Sequence, residues 1–460
     1  MTWLIWLKNL NSLQKIPYFG RFLLFLLFRT YVKIDSMNGT LMLRNVLLEG
    51  IPRDIYIKEG VISAIGAGLR CGEGTEELDG RRMRVMPAFV NMHTHSGMTL
   101  FRGICEDMPL GTWLDAVWRA ETALDPDLIY WGTRLACLEM IKTGTAAFAD
   151  MYWTVDRAAR AVEDSGMRAL LTYCFLDSGD TRRQILQREE CAAMYDISRD
   201  WPSRVMFGVS VHAHYTVSDD NMLWAADFAR SRSLLLHTHL SETLSENERH
   251  QARYGISPTR RLADMGLLGR DLIAAHTLWL SDGDIRLLGE SGTTVVHNIN
   301  SNLKLASGYR FRCRELTEAG ANVTMGTDGA GSSNNLDLRE ALKTAALVQK
   351  AWREDPAALP LDDLIAMGTV NGARGLGLHG GVVEEGALAD LILVNTDSPA
   401  FIPGYNFKSD FIYSANSSCI DTLICDGNVL MRGGHVEGEE EVMARAGEEA
   451  KRFYDKINGK

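Results

Sequence analysis

The chain has 460 residues, 46% of them hydrophobic and 23% charged. That length holds one large domain and a smaller one, and the composition excludes disordered and fibrous classes. The formal net charge of −11, from 48 Lys and Arg against 59 Asp and Glu, comes with no basic stripe, which argues against a nucleic-acid partner and for a small molecule.

Residues 1–36 read as an atypical basic leader containing the apolar run Phe22–Phe28, FLLFLLF. A bilayer span needs about 20 apolar residues, so no integral membrane insertion is expected there. Charge on both sides of the run, with no small-residue cleavage site after it, does not fit a secretory signal. A helix touching a membrane surface, a disordered leader, or upstream sequence with Met37 as the true start all fit. The last two are preferred, because regular patterning starts only near Leu41.

Residues 37–86 alternate apolar and polar positions broken by glycine, as in LMLRNVLLEG, DIYIKEG and VISAIG, the pattern of short strands. A matching pattern returns over 379–437, in GVVEEGALADLILV and DTLICDGNVLMRGG. Two β segments flanking a long middle predict one small β-sandwich built from both ends of the chain. Residues 438–460 are expected to form a C-terminal helix.

The middle, residues 87–378, repeats a short apolar strand followed by a helical stretch. Its strands are MPAFVNMHTH, GTAAFADM, RALLTYCFL, RVMFGVSVHAH, SLLLHTHLSE, LIAAHTLWL, GTTVVHNINS and NVTMGTDGA. Strands alternating with helices make parallel βα units, and this number of them predicts an α/β chain with a closed (β/α)8 barrel. An open doubly wound sheet would need a Gly-rich phosphate loop after its first strand, and VNMHTHSG is not one. The 8 cysteines are scattered without a C-x-x-C pair, as expected of reduced thiols in a cytoplasmic protein.

Of the 11 histidines, His93, His95, His212, His214, His237, His239, His276 and His297 fall at or near predicted C-terminal strand ends. Active sites of this fold gather at that rim. His93 and His95 form an H-x-H, which places both rings on one side of a strand. Alone the pair could be two hydrogen-bonded core histidines. With the other rim histidines it suits a divalent transition metal such as zinc or iron. His237 and His239 repeat the spacing. Periodicity does not say which of them is the ligand, but His239 lies nearer the rim and His237 reads as a deeper supporting residue. Asp328 closes the eighth strand between Gly326 and Gly329, where a carboxylate can bind metal and take a proton from water; helix capping is the plainer alternative. His276, ending the sixth strand, reads as a hydrogen-bonding partner of the reacting water.

The segments PAFVNMHTHSGMTLFRG, LHTHLSET, AAHTLWL, NSNLKL and VTMGTDGAGSSNN resemble the amidohydrolase superfamily. Within it they are most similar to methylthioadenosine/S-adenosylhomocysteine deaminases, which are related to guanine deaminases and triazine hydrolases. The resemblance covers about Leu41 to Gly434, with the motifs in order. It implies an amidohydrolase-type TIM barrel with His93, His95, His239 and Asp328 as metal ligands. It further implies Glu242 as proton shuttle, His276 as the residue orienting the attacking water, and His212 as a substrate contact; Trp113 reads either as a substrate-stacking residue or as a core tryptophan beside WLDAVW.

The implied cofactor is one divalent metal ion per subunit, zinc first and iron second; the fourth strand has no lysine to bridge another. The implied reaction is hydrolysis of the exocyclic amino group of an adenine-type nucleoside, such as 5′-methylthioadenosine or S-adenosylhomocysteine, by a metal-activated hydroxide. Deamination or dechlorination of another heterocycle (guanine, cytosine, a triazine) is the alternative, and a non-catalytic binding barrel a remote third. The expected partner is a small heterocyclic substrate, with homo-oligomerisation left open. The sequence departs from the family pattern at His214, usually proline. It departs again at Gly111, where some members carry a ribose-binding glutamate, and at Tyr173, where a carboxylate-binding arginine can occur.

Overall fold

A computed structural model describes residues 39–459; the leader at 1–36 lies outside the described residues. The first strands are β1 (Leu41–Leu48), β2 (Ile51–Lys58), β3 (Val61–Gly66), β4 (Glu76–Asp79) and β5 (Met83–Pro87). The next eight are β6 (Phe89–Thr94), β7 (Thr145–Tyr152), β8 (Arg168–Phe175), β9 (Val205–Ala213), β10 (Leu236–Leu240), β11 (Leu272–His276), β12 (Thr294–His297) and β13 (Asn322–Met325). The last are β14 (Leu391–Asn395), β15 (Ile420–Cys425) and β16 (Asn428–Met431).

Strands β6 to β13 pair with their sequence neighbours, all in parallel, in one sheet of 8 strands. Helices cover their outer face, so these strands are buried almost throughout, polar positions included. Among the described residues no ladder pair joins β6 to β13. The barrel closes there through other bonds: Asp328 N–H donates to His93 O at 2.9 Å, and Asn91 Nδ2 donates to Thr327 Oγ1 at 2.7 Å.

The remaining strands form a second, mixed sheet in the order β16-β15-β14-β5-β1-β2-β3, with β4 on β1. Residues from both ends of the chain share its core, including Leu43, Ile55 and Ile57 with Leu391 and Leu393. A buried ion pair ties this sheet to the barrel: Arg168, opening β8, meets Asp390 at 2.9 Å and Asp426 at 3.1 Å.

The helix Glu439–Ile457 buries Val442, Ala446 and Phe453. Phe453 packs 4.7 Å from Phe101, and Arg452 pairs with Asp125 at 2.5 Å. Phe101 ends the short turn Ser96–Phe101 that follows His95, so this helix supports the segment leaving the first barrel strand. No helix among the described residues is long and apolar enough to cross a membrane.

Candidate metal centre and active site

The C-terminal ends of β6, β10, β11 and β13 converge on one point. His93, His95 and His239 offer ligand atoms within 4.8 Å of one another, and so do His93, His276 and Asp328. His95 Nε2 lies 3.3 Å from Asp328 Oδ1, His93 Nε2 3.6 Å from the same oxygen, and His239 Nε2 3.4 Å from His95 Nε2.

The outer nitrogens of these rings decide what faces the centre. His95 Nδ1 sits 2.5 Å from Met151 O and His239 Nδ1 2.7 Å from His212 O. A carbonyl only accepts, so each Nδ1 carries the proton and each neutral Nε2 presents a lone pair inward. His93 reaches the same state when its Nδ1 carries the proton shared with His237 Nε2, 3.0 Å away, and among the described residues its buried Nε2 has no hydrogen-bond partner. A buried polar atom left bare is costly unless something binds it. Three lone pairs and a carboxylate around one point fit a divalent metal such as zinc.

His276 differs. Its Nδ1 accepts from Asn302 Nδ2 at 2.9 Å, so its proton sits on Nε2, 3.8 Å from Glu242 Oε2 and 4.0 Å from Asp328 Oδ2. It offers the centre a donor rather than a lone pair. Asp328 is oriented by Ser301 Oγ at 2.7 Å and Gly329 N–H at 2.7 Å. Burial, together with the charges of Asp328 and Glu246, pushes the Glu242 carboxyl well above the usual carboxylate range and favours its protonated form. His276 (φ 73°), Asp328 (φ 65°) and Ser241 (φ 51°), just before Glu242, all adopt left-handed backbone. Such strain is characteristic of functional sites.

A cleft opens above this floor. His95, His212, His239, Glu242, His276 and Asp328 line one end, and Trp113, Trp118, Glu121, Tyr152, Trp153 and Tyr215 the other. His212 stands beside His239 with ring centroids 4.8 Å apart, its Nδ1 2.9 Å from Thr216 Oγ1. Trp113 is both core and lining: it packs with Met98 and Phe101, while its buried indole nitrogen has no partner.

Other predicted rim histidines stay out of the cleft. His237 sits beneath His93. His297 stacks on Phe311 at 4.1 Å, and His214 bonds Glu246 at 3.0 Å. Gly111 is exposed and has no place in the cleft, whereas Glu121, at the end of the same helix Leu110–Glu121, lines it. The position to ask about was therefore Glu121, which the sequence reading missed. Its carboxylate accepts from Tyr152 Oη at 2.9 Å, and burial pushes it up to about 7. The Tyr173 hydroxyl turns to Glu190 at 2.7 Å, and among the described residues no lysine or arginine lines the cleft.

A parallel (β/α)8 barrel with an imidazole–carboxylate cluster at its C-terminal rim defines a hydrolase-type metal barrel. The chain belongs to the amidohydrolase family, whose sequence pattern matches residues 84–430. It is 43% identical to a 5′-deoxyadenosine deaminase of Methanoregula boonei, over 91% of this chain and 96% of that one. It is 37% identical to a 5-methylthioadenosine/S-adenosylhomocysteine deaminase of Archaeoglobus fulgidus, over 90% and 98%. Among solved structures, a zinc-bound adenosine deaminase from Xanthomonas campestris aligns at a TM-score of 0.85 and 29% identity, covering 92% of this chain and 99% of that one.

Proposed function

We propose that this protein is a metal-dependent deaminase that hydrolyses the exocyclic amino group of adenine-type nucleosides and releases ammonia. The observation that carries the reading is the convergence of His93, His95, His239 and Asp328 beside the buried Glu242 carboxyl, in a cleft that Glu121 also lines. His93, His95, His239 and Asp328 would hold one ion per subunit, zinc first and iron second; the two overlapping triads share His93, which supports a single centre. Bound there, a divalent metal would supply Lewis acidity that lowers the pKa of water from 15.7 toward about 7.

The chain's own groups do the rest. Asp328 takes the proton from the attacking water. His276 Nε2–H donates to the oxygen and orients it toward the ring carbon bearing the amino group. Glu242 gives its proton to the adjacent ring nitrogen, takes the remaining proton of the added hydroxyl and passes it to the departing ammonia, and is reprotonated with the proton that Asp328 took from the water. His212 and Trp113 contact the substrate from the walls of the cleft. Glu121, once ionised, accepts hydrogen bonds from ribose hydroxyls.

The absence of lysine and arginine from the lining favours an uncharged 5′ group, as in 5′-deoxyadenosine or 5′-methylthioadenosine, over the charged tail of S-adenosylhomocysteine. The names of the relatives support the same substrate class. Eight free cysteines, six of them buried, support a cytoplasmic protein.

The test is an ammonia-release screen of the zinc-loaded protein. The panel is 5′-deoxyadenosine, 5′-methylthioadenosine, adenosine, S-adenosylhomocysteine, guanine, cytosine and chlorotriazines. Release from the first two, with S-adenosylhomocysteine weaker, is the expected result. Silence on every adenine nucleoside with turnover of another heterocycle would replace this reading with its alternative.

A further inference from the structure

Behind the cleft, one buried carboxylate binds more groups than helix capping requires. Glu246 Oε1 accepts from Ser241 N–H at 2.9 Å and from His214 Nε2–H at 3.0 Å. Its Oε2 accepts from Glu242 N–H at 2.8 Å and, more loosely, from Thr243 N–H at 3.5 Å. The side chains of His214 and Glu246 are 5% and 4% exposed.

The helix Leu244–Tyr254 accounts for only part of this. Its capping box explains the long bond to Thr243 and the return bond from Glu246 N–H to Thr243 Oγ1. The two shorter backbone bonds go to residues before the helix, and His214 belongs to the end of β9. Successive amides wrapped around a carboxylate form a stiff anion nest, and the charge-assisted bonds to it are among the strong ones. The nest holds Ser241 in its left-handed turn, and that turn is what aims Glu242 across the cleft toward His276.

His214 couples the turn to a second support. Two residues earlier on the same rim, His212 O receives Nδ1–H of His239 at 2.7 Å. The Glu246–His214 bond thus locks the Glu242 turn to the segment that orients His239. On its other side His214 packs against His250, with ring centroids 4.5 Å apart.

We propose that Glu246 and His214 are positioning residues for proton transfer: their buried pair clamps the Ser241–Glu242 turn and so sets the reach of the Glu242 carboxyl. The effect on turnover rests on the deaminase reading above. The clamp itself does not.

The experiment uses the metal-loaded full chain and the variants His214→Ala, His214→Gln and Glu246→Gln. Amide hydrogen exchange at residues 241–243 is read without substrate, metal content by elemental analysis, and kcat and KM with 5′-deoxyadenosine. His214→Ala is expected to exchange faster at Ser241 and Glu242 and to keep its metal. Its kcat should fall roughly 10- to 100-fold, the scale of a small misplacement, while KM changes by less than about twofold. His214→Gln, whose amide N–H can still reach the carboxylate, should recover most of the loss, and Glu246→Gln should resemble His214→Ala.

Unchanged exchange and unchanged kcat in both His214→Ala and Glu246→Gln would overturn the proposal. So would a kcat loss that only tracks metal loss, or a His214→Gln variant no better than His214→Ala. A wild-type protein inert toward 5′-deoxyadenosine would count against the deaminase reading alone, because exchange still judges the clamp.

Discussion

The two ends of the cleft are built by different means. At the floor, side chains come from strand ends, and backbone carbonyls or buried amides fix their outer atoms: Met151 O for His95, His212 O for His239, Asn302 for His276. At the mouth, Trp113, Trp118 and Glu121 come from one helix, and Tyr215, 45% exposed, from the turn after β9. The floor is held by fixed hydrogen-bond partners, whereas the mouth draws on one helix and one turn. On the proposed reading, chemistry and substrate choice would separate along one axis.

That separation can be broken at the floor first. His93→Ala or Asp328→Ala should lose metal by elemental analysis and, with it, all measurable turnover; full occupancy in both variants would contradict the ligand set. Next, Glu242→Gln should retain metal and lower kcat by roughly 10²- to 10⁴-fold, the range of a lost proton-transfer group. Near-normal turnover would take Glu242 out of the reaction.

At the mouth, Glu121→Gln should raise KM for ribonucleosides by roughly 10- to 100-fold, the worth of a charge-assisted hydrogen bond, with kcat changing less. The sign with pH follows from a carboxyl raised to about 7: protonated below that value, it accepts ribose hydroxyls only once ionised above it. The kcat/KM for 5′-deoxyadenosine should therefore rise as pH passes through about 7 and flatten in Glu121→Gln.

Outside the cleft, Arg168→Ala leaves Asp390 buried without its partner. It should cost about 3 to 5 kcal/mol of stability in denaturant melts while the remaining folded protein keeps its kcat. A fall in kcat would show that the end sheet and the rim are coupled.

The floor was legible in the sequence because its grammar is local. An H-x-H repeats with the period of a strand, and strand ends in an alternating βα pattern all reach one rim. The mouth was not legible, because it depends on where a helix lies. Gly111 and Glu121 sit at opposite ends of Leu110–Glu121, and only the tilt of that helix over the barrel decides which one enters the cleft. His214 and His297 sit in the same strand-end pattern as the converging histidines but turn to Glu246 and Phe311. Glu246 could have been noticed, since Thr243-x-x-Glu246 is a capping-box spelling. Its reach to His214 could not.

The junction between β6 and β13 has a consequence for the protein without its ion. His93 and His95 lie on one side of that seam and Asp328 on the other, and backbone contact across it is sparse. A cation held by these residues would act as a rivet across that joint. Stripping it with a chelator should then soften the cylinder first along this line, giving the ion a mechanical role beside its proposed chemical one.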